Sequence, residues 1–532
     1  MAVTKEYATT SADAVNYSNE SPSENTRAYS DAEAVARLGL TPTVPRTLTK
    51  LIGLIGVNSS VVVPWPSFIF VAVLNLSNGG TGGLVVDLIV TIVFMIPVYI
   101  SLAEKIRKYP TAGGQYHWVA ALAPPSCRRF LSFLCCGILT FTWLSYLTAA
   151  TWLFALDIQA IVLIQNGEFH IKWAFVTAVV MQVISLVVNL TWGKHMNVPE
   201  TLILVVHFVA YLLIVSMLAF GVGTGTVSPN FEFFSQTGWS PSFGSVLGIS
   251  YVVGVFSGFD SVSHLVEDTV DASRQVPRSL MWTTCANMLS CIPLVTLVVL
   301  CAGHIDTLFT EPLGASGHPF GAVIQLIHNA GRQNNALSSA VFGLIAPIFM
   351  MSSINTTAAA SRMLFSFVRD DYNPAVHKLM HKDLTEERVP LFSICFVAVA
   401  PLLILWLNFV SSVAYSALVS QVTLSLTTTY LMAVGCSLYS RFFQPDLLGR
   451  DFTGLFHLGQ FWGTIVDGVS VVFLTIVWVL CWFPFTTPVD ATTLNYAPFI
   501  DVGLGILFTV YYLVYARRHY KNPAPEEIGN VH

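Results

Sequence analysis

Twelve apolar runs, each long enough to cross a bilayer as a helix of roughly 20 residues, dominate this sequence: near 50–76, 83–104, 131–163, 173–191, 198–222, 243–264, 280–302, 337–366, 390–408, 412–437, 464–483 and 497–516. Backbone N–H and C=O groups find no water in hydrocarbon, so each run must satisfy its own as a helix. Hydrophobic residues make up 54% of the 532 and charged residues only 10%, as expected for an all-α polytopic membrane protein. Lys and Arg sort the loops. With the amino terminus inside, Lys105, Arg107, Lys108, Arg128, Arg129, Lys194, Arg274, Arg278, Lys378, Lys382, Arg388, Arg441 and Arg450 fall on the cytoplasmic side, and only Lys172 and Arg332 fall outside. An odd number of spans would scramble that sorting, so both termini are expected in the cytoplasm.

Residues 1–45 are polar and rich in Ser, Asn and acids, with no apolar stretch of signal-peptide length, and are expected to be a disordered cytoplasmic tail. Residues 46–520 form the transmembrane domain, and 521–532 are expected to be a second cytoplasmic tail. The net charge of −5 is spread over loops and tails, and no basic cluster interleaved with aromatics points to nucleic acid. Nine cysteines without CxxC spacing lie mostly inside apolar runs and read as small core residues rather than disulfides or metal ligands.

Two spans are interrupted. In span 1, Gly56-Val57-Asn58-Ser59-Ser60 and the later Pro64 and Pro66 break the apolar run; in span 6, Phe256-Ser257-Gly258-Phe259-Asp260 does. A carboxylate near the bilayer centre costs about 2.5 to 3.5 kcal/mol on lenient insertion scales, so Asp260 should face protein, water or a ligand. Five spans separate the interruptions, so units of five helices starting at spans 1 and 6 have opposite orientations: a 5+5 inverted repeat with broken helices 1 and 6, plus two extra helices. Such paired breaks expose backbone groups at the midplane, where half-helix N-termini favour anions and C-termini favour cations. A packing kink held by Ser and Gly is the plainer alternative.

Three stretches, "KYPTAGGQYHWVAALAPP", "FSGFDSVSHLVEDTVDASRQVPRSL" and "ASRMLFSFVRDDYNP", occur in order over residues 46–520. In these the chain resembles the fungal amino-acid, GABA and choline permeases of the amino acid–polyamine–organocation superfamily. The resemblance implies a secondary transporter of ten core helices plus two, moving a small amine across the plasma membrane, driven by protons. By position it places Val57, Asn58, Ser59 and Ser60 at the ligand's carboxylate or its polar substitute, and Phe256, Ser257, Gly258, Phe259 and Asp260 at its amino end. The family has glycines spaced through the first break, whereas this chain has Asn58 and Ser60 after Gly56.

Trp65, Trp143 and Tyr146 add aromatic faces on spans expected to surround the centre; a ring face near a substituted ammonium contributes about 0.5 to 2 kcal/mol, although aromatics are equally ordinary bundle core. Asp260 is expected to cap the second half of span 6, with cation pairing as the alternative; His264 one turn later reads first as a satisfied structural histidine, with a share in that network as the alternative. His207, about ten residues into span 5, is the candidate for proton coupling, since burial and a nearby carboxylate pull a histidine in opposite directions. Glu104, Lys105, Arg107 and Lys108 before "PTAGG", and Glu267, Asp268 and Asp271 facing Arg274 and Arg278, are expected to gate the inner mouth. No HExxH, GxSxG or Walker A stretch and no clustered metal ligands occur, so neither an enzyme nor a cofactor is expected. A non-concentrative nutrient sensor, or an exchanger or exporter of a specialised amine, would keep the same pocket.

Overall fold

A computed structural model describes residues 48, 50–191, 197–223, 231–303, 305–370, 391–410, 412–445, 447, 456–520 and 523. The expected tails, except residue 523, and Lys194, Lys378, Lys382, Arg388 and Arg450 lie outside the described residues. Within them the chain is helical: α1 Leu51–Val62, α2 Pro64–Lys108, α3 Gln115–Leu122, α4 Arg128–Asn166, α5 Ile171–Thr191, α6 Asn197–Gly223, α7 Pro241–Val255, a 3₁₀ segment Phe259–Asp268, α8 Ala272–Ala302, α9 Ile305–Thr310, α10 Gly321–Ala330, α11 Asn335–Asp370, α12 Leu391–Val410, α13 Ser412–Phe443, α14 Gly459–Leu480 and α15 Ala497–Tyr511, which runs on through a π turn to His519. No strand occurs among the described residues; Leu48 alone makes an isolated parallel bridge with Thr269. Ten helical stretches are long and apolar enough to cross a membrane, the longest being the continuous Leu51–Lys108.

That stretch holds two of the expected spans. Val63 separates α1 from α2, and Gly80 bends α2 with φ 69° and ψ −166°. The bend is filled from outside by the segment before α7: Gly82 N–H donates to Glu232 O at 2.9 Å, and a Cβ on Gly80 would lie 2.5 Å from that same oxygen. Only glycine suits both the positive φ and the close approach.

α2 packs along α7 and α8, and α1 along α8, α6 and α11. A second group sets α4 against α11, α5 and α13, and α5 against α12. Facing outward are Trp173, Leu202, Phe208, Trp282, Leu403 and Val514, all more than half exposed, the belt that lipid solvates. The α2–α7 contact depends on small residues: a Cβ on Gly244 would stand 1.9 Å from the backbone O of Asn78. Gly244→Ala is therefore expected to force the two helices apart at a cost of about 1 to 3 kcal/mol or more. Its thermal unfolding midpoint in detergent should fall, and an unchanged midpoint would show that α7 can shift freely.

Candidate functional site

The first interruption lies at Val63, not at residues 56–60 as the sequence suggests. Gly56 to Ser60 keep their helical turns inside α1, and Ser60 Oγ donates back to Gly56 O at 2.6 Å. Val63 adopts φ 42° and ψ 57°, a left-handed conformation that a β-branched residue rarely takes. The cause is the sequence just beyond. Proline disfavours the helical conformation in its predecessor and cannot donate back, so Pro64 stops α1 at Val62 and Pro66 keeps the next turn from repairing it. The polar residues of 58–60 serve as contacts instead: Ser261 Oγ donates to Asn58 Oδ1 at 2.9 Å, Asn287 Nδ2 lies 3.4 Å from Ser59 Oγ, and Ser60 Oγ lies 3.5 Å from Glu200. Val57 is buried in the apolar core.

The second interruption falls where expected. α7 ends at Val255, Phe256 to Gly258 leave the helix, and Gly258 with φ 102° immediately precedes the 3₁₀ segment. Tyr99 of α2 donates to Phe256 O at 2.5 Å, Ser257 Oγ donates to Val253 O at 2.7 Å, and the Phe259 ring meets Tyr99 edge-on at 5.4 Å.

Asp260 does not cap by reaching back across the break. Gly258 is the residue before the 3₁₀ segment, and its N–H donates at 3.0 Å to the hydroxyl of Tyr430 on α13. That hydroxyl in turn donates to Asp260, whose other oxygen accepts from Gln115 of α3. The carboxylate thus ties the break to two distant helices, with its own amide and His264 beside it. His264 sits 4.0 Å from Asp260 and is otherwise satisfied: its Nδ1 lies 2.7 Å from Ala112 O, and its Nε2 receives the Trp143 indole N–H at 3.0 Å. Accepting at Nε2 leaves the proton on Nδ1, so this imidazole is neutral. Trp143 is thereby committed to His264.

Tyr146 joins the two interruptions. Its hydroxyl lies 3.5 Å from Val61 O at the end of α1, and a Cβ on Gly258 would meet its ring edge at 3.1 Å. Ser352 of α11 donates to the same Val61 carbonyl at 2.8 Å. His207, on α6, is buried with its ring 6.0 Å from Trp65, and neither ring nitrogen has a hydrogen-bond partner among the described residues.

The inner charges pair differently from the sequence reading. Glu267 forms a two-pronged contact with Arg369 at 2.9 and 3.1 Å, and Asp268 meets Arg362 at 3.0 Å, both partners lying on α11 rather than at Arg274 or Arg278. His117 meets Asp370 at 2.7 Å, and Tyr116 donates to it at 2.9 Å. Glu104 and Lys105 do not flank an open mouth: they are buried with Arg441 and Asp467, and Arg441 is no loop charge. The glycines of "PTAGG" admit histidines, since a Cβ on Gly113 would stand 2.6 Å from the His117 ring and one on Gly114 2.9 Å from that of His264. The described residues of the three stretches therefore interlock as one cluster.

Four residues of this site escaped the sequence reading. Tyr99, Tyr430 and Gln115 are single polar side chains in apolar surroundings, a signal that a partner must exist but not which one. Glu200 is fully buried near the start of α6, where its backbone oxygen would lie 2.5 Å from a Cβ on Gly56.

Apolar helices in this number, two of them broken and meeting at one tyrosine, define a multi-pass integral membrane protein built for passage of a solute. The chain belongs to the amino acid permease family, whose model matches residues 50–507. It is 26% identical over 497 residues to an uncharacterised amino-acid permease of Schizosaccharomyces pombe, with 92% of this chain and 86% of that one covered. It is 25% identical to the GABA-specific permease of Saccharomyces cerevisiae, covering 97% and 88%, and 24% identical to the choline transporter of the same yeast, covering 88% and 80%. Among solved structures, the Eremococcus coleocola manganese transporter in complex with an aromatic bis-isothiourea substituted compound aligns with a TM-score of 0.54, at 11% identity, over 89% of this chain and 98% of that one, which is a likeness of fold.

Proposed function

We propose that this protein is a secondary active transporter that moves a small amine across the plasma membrane by alternating access, coupled to protons. The observation that carries the reading is the meeting of the two interrupted helices at Tyr146. Counting Leu51–Lys108 as two passes and Leu391–Val410 as one makes twelve spans, and pairing α1–α2 with α7–α8 and α4–α5 with α11–α12 supports a 5+5 inverted repeat. Val57 to Ser60, Phe256 to Asp260, Trp143 and Tyr146 then border the substrate, some by direct contact and some, like Trp143, through a neighbour. The pairs Glu267–Arg369 and Asp268–Arg362 hold the inner side closed and release it when the 3₁₀ segment moves against α11.

Full-length protein in proteoliposomes should accumulate at least one of labelled choline and labelled GABA, the probes suggested by the two yeast relatives, and an inward proton gradient should raise the level reached. Binding without accumulation would return the nutrient-sensor reading, and uptake only into amine-loaded vesicles the exchanger reading. Coupling is assigned to α6. His207→Gln keeps a donor and cannot titrate, so it is expected to retain binding and lose acid stimulation. Unchanged pH dependence in a well-expressed His207→Gln variant would remove it from the mechanism, and Glu200→Gln on the same helix is the companion measurement.

A further inference from the structure

The two interruptions are poor in anion-binding groups and rich in acceptors. Of the first four residues of α2, Pro64 and Pro66 have no N–H, Ser67 N donates to Val63 O at 3.0 Å, and only Trp65 keeps a backbone donor. An ordinary helix start offers several such groups, and those are what make it an anion site. The same prolines act on the other side of the break. The carbonyls of Ser60 and Val62 would take their helical hydrogen bonds from residues 64 and 66, which have none to give.

At the second break two of the four backbone donors are bonded and the other two have an acceptor at hand. Gly258 N–H goes to the Tyr430 hydroxyl at 3.0 Å, Phe259 N–H faces the Tyr99 hydroxyl, Asp260 N–H faces its own carboxylate, and Ser261 N–H donates to Gly258 O at 2.9 Å. Nor is a cationic side chain at hand. Residues 51–104, 130–171, 195–273, 333–361 and 412–440, which contribute most of the groups at both breaks, contain no Lys or Arg, whereas Asp260 and Glu200 are fully buried there. Asn58 Nδ2, buried and neutral, is an unpartnered side-chain donor beside the breaks, on the residue whose Oδ1 holds Ser261.

We propose, resting on the transporter reading above, that the substrate is a small organic cation without a carboxylate group. Its ammonium lies at the carbonyl ends of α1 and α7, where the helix dipoles are negative, beside the rings of Phe256 and Tyr146. Asn58 Nδ2 is suited to a hydroxyl or other neutral oxygen on the same molecule. A carboxylate brought to this place would give up its water shell for a single backbone N–H and an amide, next to two acids.

Matched pairs that differ by the carboxylate test this: choline against glycine betaine, propylamine against GABA, and putrescine against ornithine. Binding to the full-length protein is read from ligand-induced shifts in thermal unfolding, and transport separately from uptake in proteoliposomes. The carboxylate-free member of each binding pair is expected to bind at least about tenfold more tightly, a difference of about 1.4 kcal/mol. Equal or tighter binding of glycine betaine, GABA or ornithine overturns the proposal, as does silence of all six probes at millimolar concentration. Binding with this preference but no accumulation defeats the transport reading and leaves the ligand class standing. A Pro64→Ala/Pro66→Ala variant regains two N–H groups and should narrow the gap between choline and glycine betaine severalfold. An unchanged gap in a variant that unfolds at the native temperature refutes the role given to the prolines.

Discussion

Asp467→Ala is expected to be the most destabilising single change where α2, α13 and α14 meet. Asp467 on α14 receives Arg441 Nε at 2.6 Å, Ser437 Oγ at 2.7 Å and Ser101 Oγ at 2.5 Å, with Lys105 Nζ at 3.5 Å. Glu104 takes the other side of Arg441 and also accepts Leu458 N–H at 3.2 Å. Two acids and two bases thus neutralise each other across α2, α13 and α14, with Lys105, Arg441 and Asp467 almost wholly buried. Removing Asp467 leaves Lys105 and Arg441 with Glu104 alone, one buried positive charge uncompensated in low dielectric, which typically costs about 3 to 5 kcal/mol. Thermal unfolding of the purified variant should show a large fall, and Asp467→Asn, which keeps an acceptor for the hydroxyls, a smaller one. Equal midpoints for wild type and Asp467→Ala would mean that water reaches these charges. Gly463 matters to the same network, because a Cβ there would lie 2.1 Å from the Arg441 guanidinium.

Asp260 is expected to govern uptake rather than folding. The sequence reading favoured a cap, for which Asp260→Asn would be mild. In the structure the carboxylate accepts from two donors, Tyr430 O–H and Gln115 Nε2–H, and an asparagine has one oxygen for the pair. One donor then faces an N–H group, at a cost of about 1 to 3 kcal/mol. Uptake normalised to surface expression should therefore fall by about tenfold or more in Asp260→Asn, and further in Asp260→Ala, where both donors are orphaned. The double variant Asp260→Asn/Gln115→Glu restores a donor–acceptor match and should recover part of the loss. Absence of any recovery, with the defect confined to apparent affinity for cations, would make Asp260 a direct ligand of the substrate and not an anchor of the break.

Much of this architecture was legible because it follows from local rules. Apolar length made the helices, since backbone groups in hydrocarbon have no other partner. Gly258 within "FSGFD" located the second break, because its φ of 102° is one that other residues adopt only with strain. The first break was misplaced by a few residues because Asn58, Ser59 and Ser60 drew attention as polar residues in an apolar run. The operative signal was Pro64 and Pro66, whose missing N–H groups act on the residues before them.

The partners of the buried charges were beyond local rules. Glu267 stands seven residues before Arg274, yet pairs with Arg369 about a hundred residues away. Asp260 meets Gln115 and Tyr430 from either side of the chain, and Lys105 and Arg441, assigned by charge alone to cytoplasmic loops, are among the most buried residues of the molecule. Sequence by itself determined that this chain spans a membrane and that two of its helices fail, the second of them at Gly258. Tertiary structure alone decided which acid meets which donor. A charge in low dielectric takes whatever opposite group the packing of distant helices delivers, and that choice is made by backbone geometry many residues removed from the charge itself.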